Sequence, residues 1–329
     1  MRDPWDDIPR ATGPGSRTAR LADADHPLDF YRGRDFEGRH LFWLECDASG
    51  APPTDVPRIG GINVELREPK AGRWLLSLAL RDSDQLEIFR PLCTNLLAAT
   101  APLSPEDGEK AVVIVLGRLK RWQDLLKRRN DDLLSRSEII GLIGELLFLR
   151  DRVLGQLGDV EAVLAWRGPF GDEQDFIVGR GIIELKTQLA TADRHFQITS
   201  EDQLDTTSGA IALCHQVLGI GASGQPGAVS LNAIVKGLLG RLDQQSGDAA
   251  DIFRGSLIEG GYRERPEYDV EWWIPGEFRV YGVATGFPCI VAGSLPPGVS
   301  RVRYDISIAA CAPFERTQAW LEEFVLGPV

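Results

Sequence analysis

Hydrophobic and polar positions change period along the chain. Between 38 and 90, short apolar runs such as Leu41–Leu44 and Trp74–Leu80 are separated by Pro- and Gly-containing turns. That pattern reads as strands and predicts a β-rich N-terminal lobe over 27–103, preceded by a polar, poorly ordered tail over 1–26. Helical periodicity follows near 90–99, 106–128 and 136–155, and the second of these helices carries Val112, Val115, Leu116, Leu119, Trp122 and Leu126 on one stripe. Strands are then expected at 175–178, 181–187, 195–199 and 210–218. Ser200 is expected to cap a short helix containing Gln203, and a further helix covers 231–242. Trp272–Pro275, Phe278–Val283 and Val302–Ile308 predict a second β-rich lobe over 243–329, closed by a helix at 315–325. The fold class is therefore α/β in its middle part, 104–242, and α+β overall.

Chemistry concentrates in one stretch, Asp175-Phe-Ile-Val-Gly-Arg-Gly-Ile-Ile-Glu184-Leu-Lys186. The glycines at 179 and 181 mark a tight turn, so the flanking apolar runs should form a hairpin that carries Asp175 towards Glu184. Alternation along the second strand puts Glu184, Lys186 and Gln188 on one face and Ile183 and Leu185 on the other. Two carboxylates about 4 Å apart repel by about 4 kcal/mol at an effective dielectric near 20, a cost that a divalent cation removes. Glu145 adds a third acid. It lies in Ser137–Arg150, a segment apolar almost all round, with Ser135 and Glu138 at capping-box spacing, and its helical neighbours Gly141, Leu142, Phe148 and Leu149 cannot neutralise it. Gly141 and Gly144 each cost about 1 kcal/mol against Ala in a helix interior, which predicts a close approach to this face. Hard oxygen donors without a Cys or His set favour Mg²⁺, with Mn²⁺ as a substitute, over Zn²⁺. The chain's other Glu-x-Lys, Glu68-Pro-Lys70, contains a proline, has no such Asp before it and reads as surface.

Glu145, Asp175, Glu184 and Lys186, in the order helix, strand, strand, resemble the PD-(D/E)xK nuclease superfamily. The wider run, Gly-Leu-Ile-Gly-Glu-Leu, Trp166-Arg-Gly-Pro, Asp-Phe, Ile-Glu-Leu-Lys-Thr and Ile198-Thr-Ser-Glu-Asp-Gln203-Leu, is similar to the bacterial "PD-(D/E)xK motif protein" family, often encoded near restriction or phage-defence genes. Tyr281–Pro288 and Leu295–Tyr304 have the look of its C-terminal part. Gln174 stands where the superfamily's name-giving Pro would precede the Asp. The resemblance implies a restriction-endonuclease-like mixed-sheet core flanked by helices, and a Mg²⁺-dependent phosphodiesterase acting on nucleic acid, DNA ahead of RNA and as an endonuclease ahead of an exonuclease. It assigns catalysis to Glu145, Asp175, Glu184 and Lys186. The metal would sit on Asp175, Glu184 and the Leu185 carbonyl, with Glu145 direct or through water; Gln188 and Gln203 are expected as supporting or substrate contacts, and Arg180 and Arg194, by their position near the site alone, as phosphate contacts. A catalytically silent nucleic-acid-binding or assembly module of a defence complex is the alternative. Double-strand cutters of this fold often act as homodimers.

Composition qualifies this picture. A net charge of −12 requires an enzyme of nucleic acid to concentrate its Lys and Arg locally, or to work with a partner such as an ATPase or helicase. The densest cluster, Arg118, Lys120, Arg121, Lys127, Arg128 and Arg129, follows the polar circumference of one helix, as any solvated face does. Five scattered cysteines suit free thiols in a cytoplasmic protein, and neither a signal peptide nor a membrane span is legible. Gly219-Ile-Gly-Ala-Ser-Gly224 fits a dinucleotide-binding pattern. Pro226 and Gly227 interrupt directly after it, so a loop is expected there and a helix only from about Ser230.

Overall fold

A computed structural model describes the chain except residues 1–3, 49, 128–132, 171–173, 180, 297 and 328–329, and describes 124–127, 170 and 208 by backbone alone. It divides into two compact units, 1–132 with 250–259, and 133–249 with 260–329.

In the first unit, β1 (Arg17–Leu21), β2 (Asp29–Asp35), β3 (His40–Asp47), β4 (Ile62–Lys70) and β5 (Arg73–Leu80) form an antiparallel sheet in the order β1-β2-β3-β5-β4. Strict alternation of Trp74, Leu76, Leu78 and Leu80 places four large side chains of β5 on one face. That face packs with the buried stripes of α1 (Leu86–Thr100) and α2 (Gly108–Lys127). The expected tail contributes to this core: Trp5 is 1% exposed and donates its indole N–H to the Leu41 carbonyl, and β1 pairs along β2. Its polar composition hid two apolar anchors, Trp5 and Ile8, each worth roughly 1.5–3 kcal/mol on burial.

The second unit starts with α3 (Arg136–Phe148), whose capping box of Ser135 and Glu138 forms as its spacing predicts. A single π-helical turn, Leu149–Val153, continues it, followed by α4 (Asp159–Ala165). Next come β6 (Phe176–Val178), β7 (Gly181–Leu189), β8 (His195–Ile198), β9 (Ala210–Gly221), α5 (Leu231–Gln245) and α6 (Gly247–Glu259). Then follow β10 (Trp272–Val283), β11 (Tyr304–Ser307), α7 (Ile308–Cys311), β12 (Glu315–Arg316) and α8 (Gln318–Leu326). The central sheet runs β12-β10-β9-β7-β6, with β7 and β9 parallel and the other pairs antiparallel. The separate C-terminal lobe expected over 243–329 is corrected here. Trp272–Val283 is one strand of this sheet, bulged between Pro275 and Phe278 where the proline cannot complete the ladder. The last ten residues of α6, which no strand pattern announced, belong to the first unit, where Glu259 is held by Arg118 at 3.0 Å and by Trp122 Nε1 at 2.7 Å. Gly219–Gly224 ends β9 and turns, and Ser230 caps α5.

One face of the sheet carries Ile182, Ile211, Leu213 and Tyr281, in a core with Phe196 and Ile198 of β8, which pairs with β11. The other meets α3. A Cβ at Gly144 would stand 2.8 Å from the Thr187 Cβ of β7, whereas one at Gly141 meets nothing within 4 Å. The expectation for the two glycines therefore splits. Gly141→Ala should raise stability by about 1 kcal/mol through helix propensity, whereas Gly144→Ala should lower it, because overpacking costs about 1–3 kcal/mol. Thermal denaturation checks this; a shift of the same sign in both variants would contradict the packing.

Candidate functional site

The hairpin forms where the turn residues predict it, β6 pairing antiparallel with β7 through Phe176–Ile183 and Val178–Gly181, and Gly179 adopts φ +56°. Since β6 is only three residues long, the side chain of Asp175 takes over where its ladder ends. The Asp175 N–H donates to the Ile183 carbonyl at 3.2 Å, and its Oδ2 accepts from the Leu185 N–H at 2.7 Å. In a strand the N–H and C=O of one residue face the same neighbour, so the Leu185 carbonyl also faces the Asp175 side.

Glu145 reaches the same place from α3. A Cβ at Gly168 would lie 2.5 Å from Glu145 Oε2 and 3.2 Å from Asp175 Oδ1, so both carboxylates converge on the space that this glycine leaves. Burial foremost, then the charges of Asp175 and Glu184, pushes the Glu145 carboxyl well above the ordinary carboxylate range, against the hydrogen bond from Trp166. Burial likewise raises Asp175 to about 6, opposed by the Leu185 N–H and by Lys186. Burial, and for Glu145 also the neighbouring carboxylates, therefore opposes ionisation of both acids.

Glu184 and Lys186 stand on the face shared with Ile182. Their side chains are 3% and 16% exposed, and Lys186 Nζ lies 2.8 Å from Glu184 Oε1. Lys186 also donates to Gln203 Oε1 at 3.3 Å, which accepts in addition from the Thr199 N–H at 3.0 Å. Gln203 thus lies beside Lys186, though on a turn rather than the short helix expected: the Ser200 hydroxyl accepts from the Asp202 N–H and the Ser200 carbonyl from the Gln203 N–H, closing the chain on itself too early for a helix. Gln188 is engaged elsewhere, donating to the His195 carbonyl, and Arg194 is exposed on the loop before β8. Arg180 lies outside the described residues, as do Arg128 and Arg129 of the basic cluster. Of that cluster Arg118 is turned inward onto buried Glu259, and Lys120 pairs with Asp55 at 3.5 Å.

Two residues went unassigned in the sequence. Trp166, fully buried, donates from Nε1 to Glu145 Oε2 at 2.6 Å, and Gly168 keeps the space between the acids open. The only signal for either was the Trp166-Arg-Gly-Pro run. His215, next to Lys186 in register and 6% exposed, is pushed down to about 4 by burial and then by Arg279, so it stays neutral.

The donor chemistry fits a hard divalent cation: carboxylate oxygens, a backbone carbonyl facing the same side, and a gap that a single Cβ would fill. Among the described residues no three His, Cys, Asp or Glu side chains converge closely enough to hold an ion by themselves. Glu145 and Asp175 converge as a pair, while Glu184 is drawn to Lys186. Such a pair suits an ion that keeps several waters.

A mixed α+β sheet with a helix-borne acid, an Asp entering the hairpin and Glu-x-Lys on its second strand defines a protein of the PD-(D/E)XK class, whose nucleases generally use divalent metals. The chain belongs to the family described as "Putative PD-(D/E)XK family member, (DUF4420)", whose model matches residues 1–309. No curated protein and no solved structure matches it. None of the described helices is long and apolar enough to cross a membrane, and all five cysteines are free thiols.

Proposed function

We propose that this protein is a Mg²⁺-dependent nuclease that hydrolyses phosphodiester bonds of nucleic acid, DNA ahead of RNA and internally rather than from ends, in bacterial restriction or phage defence. The observation that carries this reading is the convergence of Glu145 and Asp175 on Gly168, beside a strand presenting Glu184 and Lys186. Asp175, Glu184 and the Leu185 carbonyl, with Glu145 directly or through water, would hold the cation. A divalent cation held there would supply polarisation of the phosphate and a lowered pKa for an attacking water. Lys186 holds its ammonium where negative charge grows on the attacking and phosphoryl oxygens, and Gln203 fixes the ammonium's direction. Burial of Glu184 and Lys186 keeps bulk water from screening that charge.

The acidic net charge of −12 and the inward pairing of Arg118 favour recruitment through a partner, for which an ATPase or helicase of a defence system is the natural class. Exposed Arg194 is available for a phosphate contact. A homodimer would supply two cuts in a duplex.

The test is incubation of the full chain with plasmid, linear duplex, single-stranded DNA and RNA in Mg²⁺, Mn²⁺ or EDTA. Cutting that needs metal and vanishes in Asp175→Ala is expected. Absence of cutting on every substrate, with no metal-dependent rise in thermal stability, would favour a silent binding or assembly module.

A further inference from the structure

The segment Trp166–Gly168 touches both acids of the pair by different means. Trp166 leaves the end of α4 in extended conformation, its backbone bridges to Phe176, and its side chain is fully buried. Its indole Nε1 lies 2.6 Å from Glu145 Oε2. The next two N–H groups, of Arg167 and Gly168, donate to the Asp175 main-chain carbonyl at 2.7 and 3.1 Å. Gly168, which opens a short 3-10 turn through Phe170, then leaves the gap into which both carboxylates point.

Resting on the nuclease reading above, we propose that Trp166 is a positioning residue for the metal-binding carboxylates, and that Trp166–Gly168 is a neutral brace setting their separation and direction. The choice of donor is what makes it a brace rather than a counter-ion. An indole N–H donates and can neither accept nor ionise, so it fixes one oxygen of Glu145 and leaves the carboxylate's charge for a cation. A Lys or Arg in that place would neutralise the acid and compete with the metal. On the neighbouring strand Glu184 has such a cation, Lys186, so the two acids are held by opposite strategies. The backbone donors fix the main chain of Asp175 without touching its carboxylate, whose Oδ2 is oriented separately by the Leu185 N–H. With both acids directed this way and Gly168 lacking a side chain, the gap between them keeps one size.

The experiment is titration of the metal-free full chain with Mn²⁺ alone, following free Mn²⁺ by electron paramagnetic resonance, with the melting temperature of each metal-free variant measured alongside. Trp166→Phe keeps an aromatic ring in the pocket and removes the donor, at the cost of a small cavity. Gly168→Ala fills the gap with one methyl group, so it decides the matter if Trp166→Phe does not fold. Each is expected to weaken Mn²⁺ binding by about 10- to 100-fold, the usual cost of losing an outer partner of a metal ligand. Val235→Ala on α5, a buried substitution that lowers melting temperature, is expected to leave Mn²⁺ affinity within twofold of wild type. Wild-type affinity in both Trp166→Phe and Gly168→Ala, with binding lost in Asp175→Ala, would overturn the brace while sparing the nuclease reading. Equal weakening in Val235→Ala would reduce Trp166 to a structural part and also overturn it. If the wild type binds no Mn²⁺, the nuclease reading fails and takes the brace with it.

Discussion

Lys186→Ala is expected to slow metal-dependent cleavage by about 10²- to 10³-fold on whichever substrate the wild type cuts, the typical cost of removing one preorganised donor to a charge that grows in the transition state. The ammonium is 16% exposed and fixed between Glu184 Oε1 at 2.8 Å and Gln203 Oε1 at 3.3 Å, so its position needs no reorganisation during the reaction. The same substitution takes the cation from a carboxylate that is 3% exposed, and removing one member of a buried pair costs about 3–5 kcal/mol. Rates should therefore be compared at a temperature where melting curves show both proteins folded. Gln203→Ala, which leaves the Glu184 pair in place, should lose less, about tenfold. Wild-type cutting by Lys186→Ala would remove this lysine from the chemistry.

Asp175→Asn should stabilise the metal-free protein above pH 6 while abolishing its response to Mg²⁺. Asn keeps an acceptor for the Leu185 N–H and cannot ionise. Burial holds the Asp175 carboxyl near 6, above its ordinary 3.8, so the folded protein binds this proton more tightly than the unfolded chain does. The resulting penalty is fully present above pH 6, and it shrinks as pH falls through 6 towards 3.8, where the unfolded chain takes up the proton too. Its size is about 3 kcal/mol. Denaturant melts of wild type and variant should thus diverge at pH 8 and approach one another near pH 4. Mg²⁺ at about a hundred times its dissociation constant should return about 2.7 kcal/mol to the wild type and nothing to the variant. A variant less stable than wild type at pH 8, or one still stabilised by Mg²⁺, would contradict both the electrostatics and the metal assignment.

Much of the site's framework could be read from local pattern, because local pattern is what builds it. The hairpin needed only a Gly-containing turn between two apolar runs, the capping box only Ser135 and Glu138 three residues apart, and the shared face of Glu184 and Lys186 only the period of a strand. The errors lie where contacts are long-range. Trp5 and Ile8 sit in a stretch too polar on average to announce a core. Trp272–Val283 looks like part of a separate lobe until its register against β9 is known. The tail of α6 belongs to the first unit, although more than a hundred residues separate Glu259 from its partners Arg118 and Trp122.

By itself, then, the sequence determined the order helix, Asp strand, Glu-x-Lys strand, and with it the family and the nuclease-like class. The order follows from periodicity and spacing, which act over a few residues and survive without knowledge of neighbours, whereas the family follows from likeness over residues 1–309. Only the tertiary structure decided that Glu145 pairs with Asp175 across Gly168, that an uncharged indole holds one acid while a lysine holds another, and that Gly144 rather than Gly141 is the close approach. Each depends on which surfaces meet once the sheet is assembled. Hydrogen bonds and steric gaps between elements are set by packing at a resolution of a few tenths of an ångström, and no pattern along the chain encodes them.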